Sequence, residues 1–290
     1  MRVFLLAMLL AMPVAAQVSP ADQPSADRIR ADPPRDADHP ARMEVLHIPS
    51  GDVLINGVGY LAAGPRRHPT IVIAHGWPGN EKNLDLAQAA RRSGWNAITF
   101  NYRGSWGSPG NFRFAQVPQD AAAVLAYLRR PGVADKLGID PARLVLAGHS
   151  MGGWATAKVA ANDPALKGAI TISMGDLGLV GGAPRAQLVE RAAMNAETLA
   201  GTTPLMMADE LIANAAANRA AAGAAGLAKL PMLVLTSDDG LAPGSDSLVA
   251  AIRAAGGTKV TTAHVATDHS WSDARLKLEE LVTGWLAELK

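Results

Sequence analysis

The chain of 290 residues contains no cysteine, so neither a disulfide framework nor a lipid-bearing cysteine is available to it. An excess of charge of one sign is also missing. The 27 Lys and Arg against 26 Asp and Glu leave a formal net charge of +1, with no basic block interleaved with aromatics. That pattern lacks the electrostatic footprint of a nucleic-acid binder. No cluster of side chains has metal-ligand spacing, and no glycine-rich dinucleotide fingerprint follows the first candidate parallel strand, so neither metal nor cofactor is expected. Internal repeats are absent as well. The apolar run Phe4 to Met12 is too short to span a membrane. Flanked by Met1-Arg2-Val3 and by the small residues Val14-Ala15-Ala16, it has the layout of a secretory signal peptide cleaved after Ala16. The expectation is export to a periplasm or the medium as a protein with no stable membrane anchor.

What is present is an ordinary globular composition, 49% hydrophobic and 18% charged, long enough for one large core. Residues 17–42 are rich in Pro, Asp, Ala and Arg without apolar periodicity and read as a disordered tether. From Met43 onward, two β-like segments, Met43 to Pro49 and Val53 to Ala62, flank Ser50-Gly51 as edge strands. Continuous apolar strands then alternate with helix-compatible segments: Thr70 to Ala74, Asn96 to Phe100, Arg143 to Ala147, Gly168 to Ile172, Pro231 to Leu235 and Val260 to Val265. Such runs imply a mostly parallel sheet covered by helices on both faces. The final helix is expected from about Asp273 to Leu289, burying Leu278, Leu281, Val282 and Trp285 at helical spacing.

One connection breaks this rhythm. Between Asp176 and Lys229 lies an Ala-rich, helix-prone insertion where a short turn would suffice, the pattern of a cap over an active site. Its Met194, Leu199, Leu205, Met206 and Met207 offer apolar surface, and Met194, Leu205, Met206 and Met207 are the candidates for substrate contact. Ordinary core packing explains such residues equally well.

The chemistry centres on Gly148-His149-Ser150-Met151-Gly152, placed between an apolar strand and a helix-compatible run. In a G-x-S-x-G elbow the serine turns on a strained backbone, and the glycines remove side chains that would clash with strand and helix. A nucleophilic serine needs a base and an acid, which in this arrangement follow it in the order serine, acid, histidine. Asp238 and Asp239, just after the strand ending at Leu235, are the acid candidates. His269, on the loop between the last strand and the C-terminal helix, is the base; His264 lies within the preceding strand and His149 inside the elbow. Two backbone N–H groups are needed for a developing oxyanion. They are assigned to Met151, after the nucleophile, and to Trp77, in the strand-end turn His75-Gly76-Trp77-Pro78-Gly79.

The His75 to Gly79 turn, Asn101-Tyr102-Arg103-Gly104-Ser105-Trp106-Gly107, the elbow, Asp239 and His269 together resemble the α/β-hydrolase superfamily over almost everything from Met43 onward. The likeness is to small esterases and to prolyl-oligopeptidase-like, dienelactone-hydrolase-related catalytic domains. It implies an α/β-hydrolase fold with a helical cap. The family's Asp-x-x-Val-Pro pattern is similar in register to Asp239-Gly240-Leu241-Ala242-Pro243, which favours Asp239, although the loop is one residue shorter and has Thr236-Ser237 where His-Gly is common. Arg103 matches the family's structural ion-pair arginine. Serine as nucleophile, rather than Asp or Cys, argues against dehalogenase, epoxide-hydrolase and dienelactone-hydrolase chemistry. The expectation is a serine hydrolase acting on small-molecule carboxylic esters through an acyl-enzyme. The alternatives are a peptidase or amidase of the same type and a non-catalytic binding protein on this fold.

Overall fold

A computed structural model describes residues 31–289. The expected signal segment, residues 1–16, and residues 17–30 of the expected tether lie outside the described residues. Residues 31–41 form no helix or strand, and Gly64 N–H donates to the His39 carbonyl at 3.0 Å. Regular structure begins with β1 (Arg42–Ser50), which pairs antiparallel with β2 (Val53–Leu61) through the turn at Gly51.

The body is one eight-stranded sheet in the order β1-β2-β4-β3-β5-β6-β7-β8. Its remaining strands are β3 (His68–Ala74), β4 (Asn96–Phe100), β5 (Ile139–His149), β6 (Gly168–Ile172), β7 (Met232–Ser237) and β8 (Val260–Val265). β2 runs antiparallel to β4, whereas β4, β3, β5, β6, β7 and β8 are parallel neighbours. Successive side chains on a strand point to opposite faces. Accordingly Ile71 and Ile73 join one core cluster while Val72 and Ala74 join the other.

Helices cover both clusters. On one face α1 (Leu84–Arg92) and α10 (Arg275–Glu288) bury Leu86, Ala90, Leu278, Val282 and Trp285 against the sheet. Leu281 of α10 is only partly buried at the rim of that cluster. The opposite face carries α2 (Val117–Leu128), α3 (Pro131–Leu137), α4 (Met151–Ala160) and α9 (Ala242–Ala254). α1 begins at Leu84 because Asn83 before it takes a left-handed conformation, φ 55°, which a helix interior does not allow. Between β6 and β7 the insertion folds as α5 (Leu177–Val180), α6 (Arg185–Ala193), α7 (Pro204–Ala213) and α8 (Ala224–Leu227). It is tied to the body by backbone hydrogen bonds, among them Trp106 N–H to Thr198 O and Phe112 N–H to Ala200 O.

One buried ion pair fixes the loop after β4. Asp120, at the start of α2, has a side chain with no exposed surface, and it accepts from Arg103 Nε at 2.6 Å and from Arg103 N–H at 2.9 Å. Ser50 Oγ completes the carboxylate's partners at 2.5 Å. Asp120→Ala therefore leaves the Arg103 guanidinium buried without its counter-charge and should cost about 3–5 kcal/mol of stability in denaturant titrations. Asp209→Ala, which breaks the exposed Arg185–Asp209 pair, should leave the midpoint nearly unmoved.

Two buried histidines close the ends of β3 and β5 and give the fold an acid sensitivity. Burial, its largest cause, pushes His75 and His149 from 6.5 down to about 4. The unfolded chain thus takes up these two protons before the native state does. Their contribution to stability is complete above the unfolded value, falls as pH drops through the window from 6.5 to about 4, and levels off below it. The loss should be on the order of 3 kcal/mol for each histidine. Calorimetric melts across that window should show a falling midpoint; a flat one would contradict the burial of neutral imidazoles.

Candidate active site

Every candidate group sits at the C-terminal edge of the parallel strands, where ligands bind in open α/β sheets. Ser150 follows β5 directly and opens α4, with φ 55° and ψ −121°. A non-glycine residue holds such a backbone only when its surroundings over-determine it. Here Ser150 N–H donates to Ile172 O at 2.9 Å, and its carbonyl accepts from Gly153, Trp154 and Gly175. The glycines are required by space. A Cβ on Gly148 would lie 2.0 Å from the Gly152 carbonyl oxygen, and one on Gly152 would lie 2.1 Å from Ala74 O. No side chain fits either position.

His269 and Asp239 meet from the loops after β8 and β7. The imidazole Nδ1–H donates to Asp239 Oδ2 at 2.7 Å, which fixes the tautomer with Nε2 unprotonated. Asp239 Oδ1 accepts from Leu241 N–H at 2.9 Å, so this one carboxylate both caps the turn and holds the histidine. Burial works to raise its pKa, but the bonds from His269 and Leu241 outweigh this and keep the carboxyl below the ordinary range. Asp238 points elsewhere, pairing with His264 Nε2 at 3.0 Å, and Thr236 Oγ1 meets the other nitrogen of that ring. Ser150 Oγ and His269 face one cavity. No hydrogen bond joins them among the described residues, and such bonds tighten on substrate binding in sites of this kind.

Several supports of this arrangement had no signal in the sequence reading. His149 stacks on His269, ring centroids 4.6 Å apart, and its Nε2–H donates to the His269 backbone carbonyl at 2.7 Å. Because burial keeps His149 neutral, it has one proton and spends it on that bond, leaving Nδ1 buried without a partner. Trp271, fully buried two residues after His269, donates its indole N–H to Ser173 Oγ at 2.9 Å, and Ser173 Oγ contacts Ser237 Oγ at 2.7 Å. Pairing across 64 to 120 residues of sequence leaves no local pattern.

Trp77 and Met151 both line the cavity that holds Ser150, and among the described residues neither backbone N–H has an acceptor. For Met151 this follows from its place as first residue of α4, whose N–H has no partner within the helix. Gly175 also lines the cavity, where a Cβ would make only ordinary contact with Ser150 Oγ at 3.7 Å.

The cavity has a volume of about 240 Å³. Its cap wall departs from expectation. Leu177 and Val180 of α5, with Arg191 and Asn195 at the end of α6, line it. Met194, Leu205, Met206 and Met207 do not. Met207 is fully buried in the core between α7 and the body, while Leu205 and Met206 are exposed on the outer side of α7. Met194 is 70% exposed and borders the neighbouring cleft. The physical reason is rotation about α6: the helix turns Arg191 and Asn195, four residues apart, toward Ser150 and carries Met194 past it. Leu199 is partly buried, bridged to Ser105. Arg103 is the buried ion-pair partner of Asp120 and no part of the cavity lining. Among the described residues, no group of three or more His, Asp or Glu is placed to hold a metal ion, and no helix is long and apolar enough to cross a membrane.

Comparison with known proteins places this geometry. A search of curated proteins finds no significant sequence match. Among solved structures, EstE1, a thermophilic and thermostable carboxylesterase cloned from a metagenomic library, is 21% identical with a TM-score of 0.64, over 95% of this chain and 99% of its own. An esterase of Pyrobaculum calidifontis is 18% identical with a TM-score of 0.63, over 87% of each chain. The acylaminoacyl peptidase of Pyrococcus horikoshii is 19% identical with a TM-score of 0.63, over 84% of this chain but 41% of its own. At such identities the likeness is one of fold. The profile of the alpha/beta hydrolase family matches residues 71–285, a span that holds the elbow, both acid candidates and His269, and the chain therefore belongs to the alpha/beta hydrolase family.

Proposed function

We propose that this alpha/beta hydrolase is an exported serine hydrolase that cleaves carboxylic esters through an acyl-enzyme. The observation that carries the reading is the convergence on one cavity of a strained serine, a histidine oriented by a buried carboxylate, and two residues, Trp77 and Met151, whose backbone N–H groups have no acceptor among the described residues. In the acylation step His269 Nε2 takes the Ser150 hydroxyl proton as Oγ attacks the ester carbonyl carbon. The carbonyl oxygen becomes an oxyanion held by the Trp77 and Met151 N–H groups. Collapse of the tetrahedral species breaks the carbon–oxygen bond to the alcohol, which leaves with the proton that His269 carried. Water, deprotonated by His269 in turn, attacks the acyl group and restores Ser150.

Asp239 orients the imidazole and stabilises its charged form while remaining ionised itself. Its depressed pKa supports that role. Support for ester over amide cleavage comes from extent: the likeness to EstE1 runs nearly end to end, whereas the peptidase is matched over less than half of its own length. The same constellation cleaves amides, so aminoacyl and prolyl anilides belong beside p-nitrophenyl esters in the first assay. The charged start and short apolar run within residues 1–16 support export.

Ser150→Ala and His269→Ala should each reduce ester turnover by several orders of magnitude, while the melting temperature stays near that of the parent. A fluorophosphonate should label the parent at Ser150 and fail to label Ser150→Ala. Activity of either variant within about tenfold of the parent would overturn the assignment.

The two aspartates are separable. Asp239→Asn preserves shape but should impose the wrong tautomer on His269 and lower kcat by about 10⁴, as the equivalent change does in other triads. Asp238→Asn, which touches only the exposed contact to His264, should stay near parental activity. A larger effect at Asp238 would mean that the carboxylates exchange roles when substrate is bound.

A further inference from the structure

The cap presents the cation Arg191 toward the cavity, and no counter-charge pairs with it among the described residues. The insertion's other two well-placed arginines are paired, Arg185 with Asp209 at 2.7 Å and Arg219 with Asp176 at 3.6 Å. Arg191 makes no side-chain hydrogen bond or ion pair with any described residue. Its position in the last turn of α6 suits the helix dipole, but that alone does not require a guanidinium on the wall facing Ser150. Asn195, one turn on, shares that wall. One of its amide hydrogens goes to the Arg191 backbone carbonyl at 2.8 Å, which leaves the second free to donate.

Two negative groups lie nearby, and neither pairs with Arg191 among the described residues. Asp239 is held by His269 and Leu241 with its side chain buried. Glu190 borders only the adjoining cleft of about 310 Å³, and as the neighbour of Arg191 on a helix it projects in a different direction. That cleft and the catalytic cavity share Val180 and Arg191, so Arg191 stands at the seam between them. A fork of guanidinium N–H groups beside an amide N–H matches the planar acceptor pair of a carboxylate.

Resting on the serine-hydrolase reading, we propose that Arg191, assisted by Asn195, selects esters that carry a free carboxylate. The carboxylate docks at the seam while the scissile carbonyl sits between Ser150 and the N–H groups of Trp77 and Met151. The rest of the molecule extends into the cleft beside Ala183 and Met194.

The test uses matched pairs that differ only in charge. On the acyl side these are mono-p-nitrophenyl glutarate and its methyl-capped form; on the alcohol side, the butyrates of p-hydroxybenzoate and p-hydroxybenzamide. The readout is the ratio of kcat/KM, anionic over neutral, which cancels any general loss of activity. The parent should favour the anionic member in one of the two arms, and Arg191→Ala should lower that ratio by about tenfold or more. Arg191→Glu should lower it further, and Arg191→Lys should restore part of it. Arg185→Ala, on the same helix and with the same change of charge, should leave the ratio in place.

A ratio unmoved by Arg191→Ala in both arms, or lowered equally by Arg185→Ala, would overturn the proposal. Fluorophosphonate labelling of the same parent sample separates this from the underlying reading. Labelled Ser150 with no charge preference removes only the role of Arg191, whereas absence of both labelling and turnover removes the hydrolase mechanism and the proposal with it.

Discussion

The turn at Ser150 is the constraint on which the rest of the site depends. A residue with φ 55° and ψ −121° costs free energy that no interaction of its own side chain repays, so the neighbouring backbone must impose it. It does so through contact distances that leave no alternative. β3 approaches α4 so closely at Ala74 and Gly152, and β5 approaches it so closely at Gly148, that an added Cβ would collide with backbone oxygen. The tight strand–helix junction keeps the hydroxyl projecting from the sheet edge, and that same edge receives the loops from β3, β7 and β8. Strain at the serine and convergence at the cavity are two results of one packing arrangement.

His269 has the opposite problem. Its loop is exposed at Asp268 and Ser272, and a side chain there is held only as well as its neighbours hold it. Three contacts reach it from separate elements: Asp239 from the end of β7, His149 from the elbow, and Trp271 anchored through Ser173 beyond β6. The bond from His149 to the His269 carbonyl matters because it couples the histidine loop to the serine turn itself. A neutral His149 is suited to this: with one proton it is a donor at Nε2, and a charge so close to His269 would oppose the imidazolium of the proposed mechanism. The burial that keeps His149 uncharged is thus compatible with the chemistry beside it and costly to the fold in acid.

Much of this was legible in the residues. Continuous apolar strands between helices fixed a parallel sheet, and β4, β6 and β8 fall where their apolar runs begin and end. The meeting of the elbow, Asp239 and His269 at one sheet edge was legible because each lies in a local pattern at a strand end and their chain order is informative. β5 is longer than its apolar run: it continues through Asp140 and Pro141, polar or proline positions with no strand signal, with Ile139 paired to His68. The cap was legible as an insertion but its inner wall was not. In an Ala-rich helix, apolar residues mark an interior face only if their neighbours are polar in phase, and Met194, Leu205, Met206 and Met207 lack that phase. The supports at Ser173 and Trp271 were hidden for another reason, since contact between residues so distant in sequence has no periodicity to reveal it.

The placement of the two kinds of residue has a consequence for how such a protein changes. The groups proposed to carry out the reaction are set by sheet packing and by buried hydrogen bonds, so altering what surrounds them disturbs the fold and the chemistry together. The cap wall is different. Arg191 projects from a helix surface and has no partner among the described residues to leave unpaired, so its removal strands no buried charge among them. Selectivity written in an exposed side chain such as Arg191 on α6 can vary at little cost in stability, while the elbow and the Asp239–His269 bond stay fixed. Substrate preference within this fold is for that reason read from the charge and shape of the cap wall, and the sheet edge beneath it says only what kind of bond can be broken.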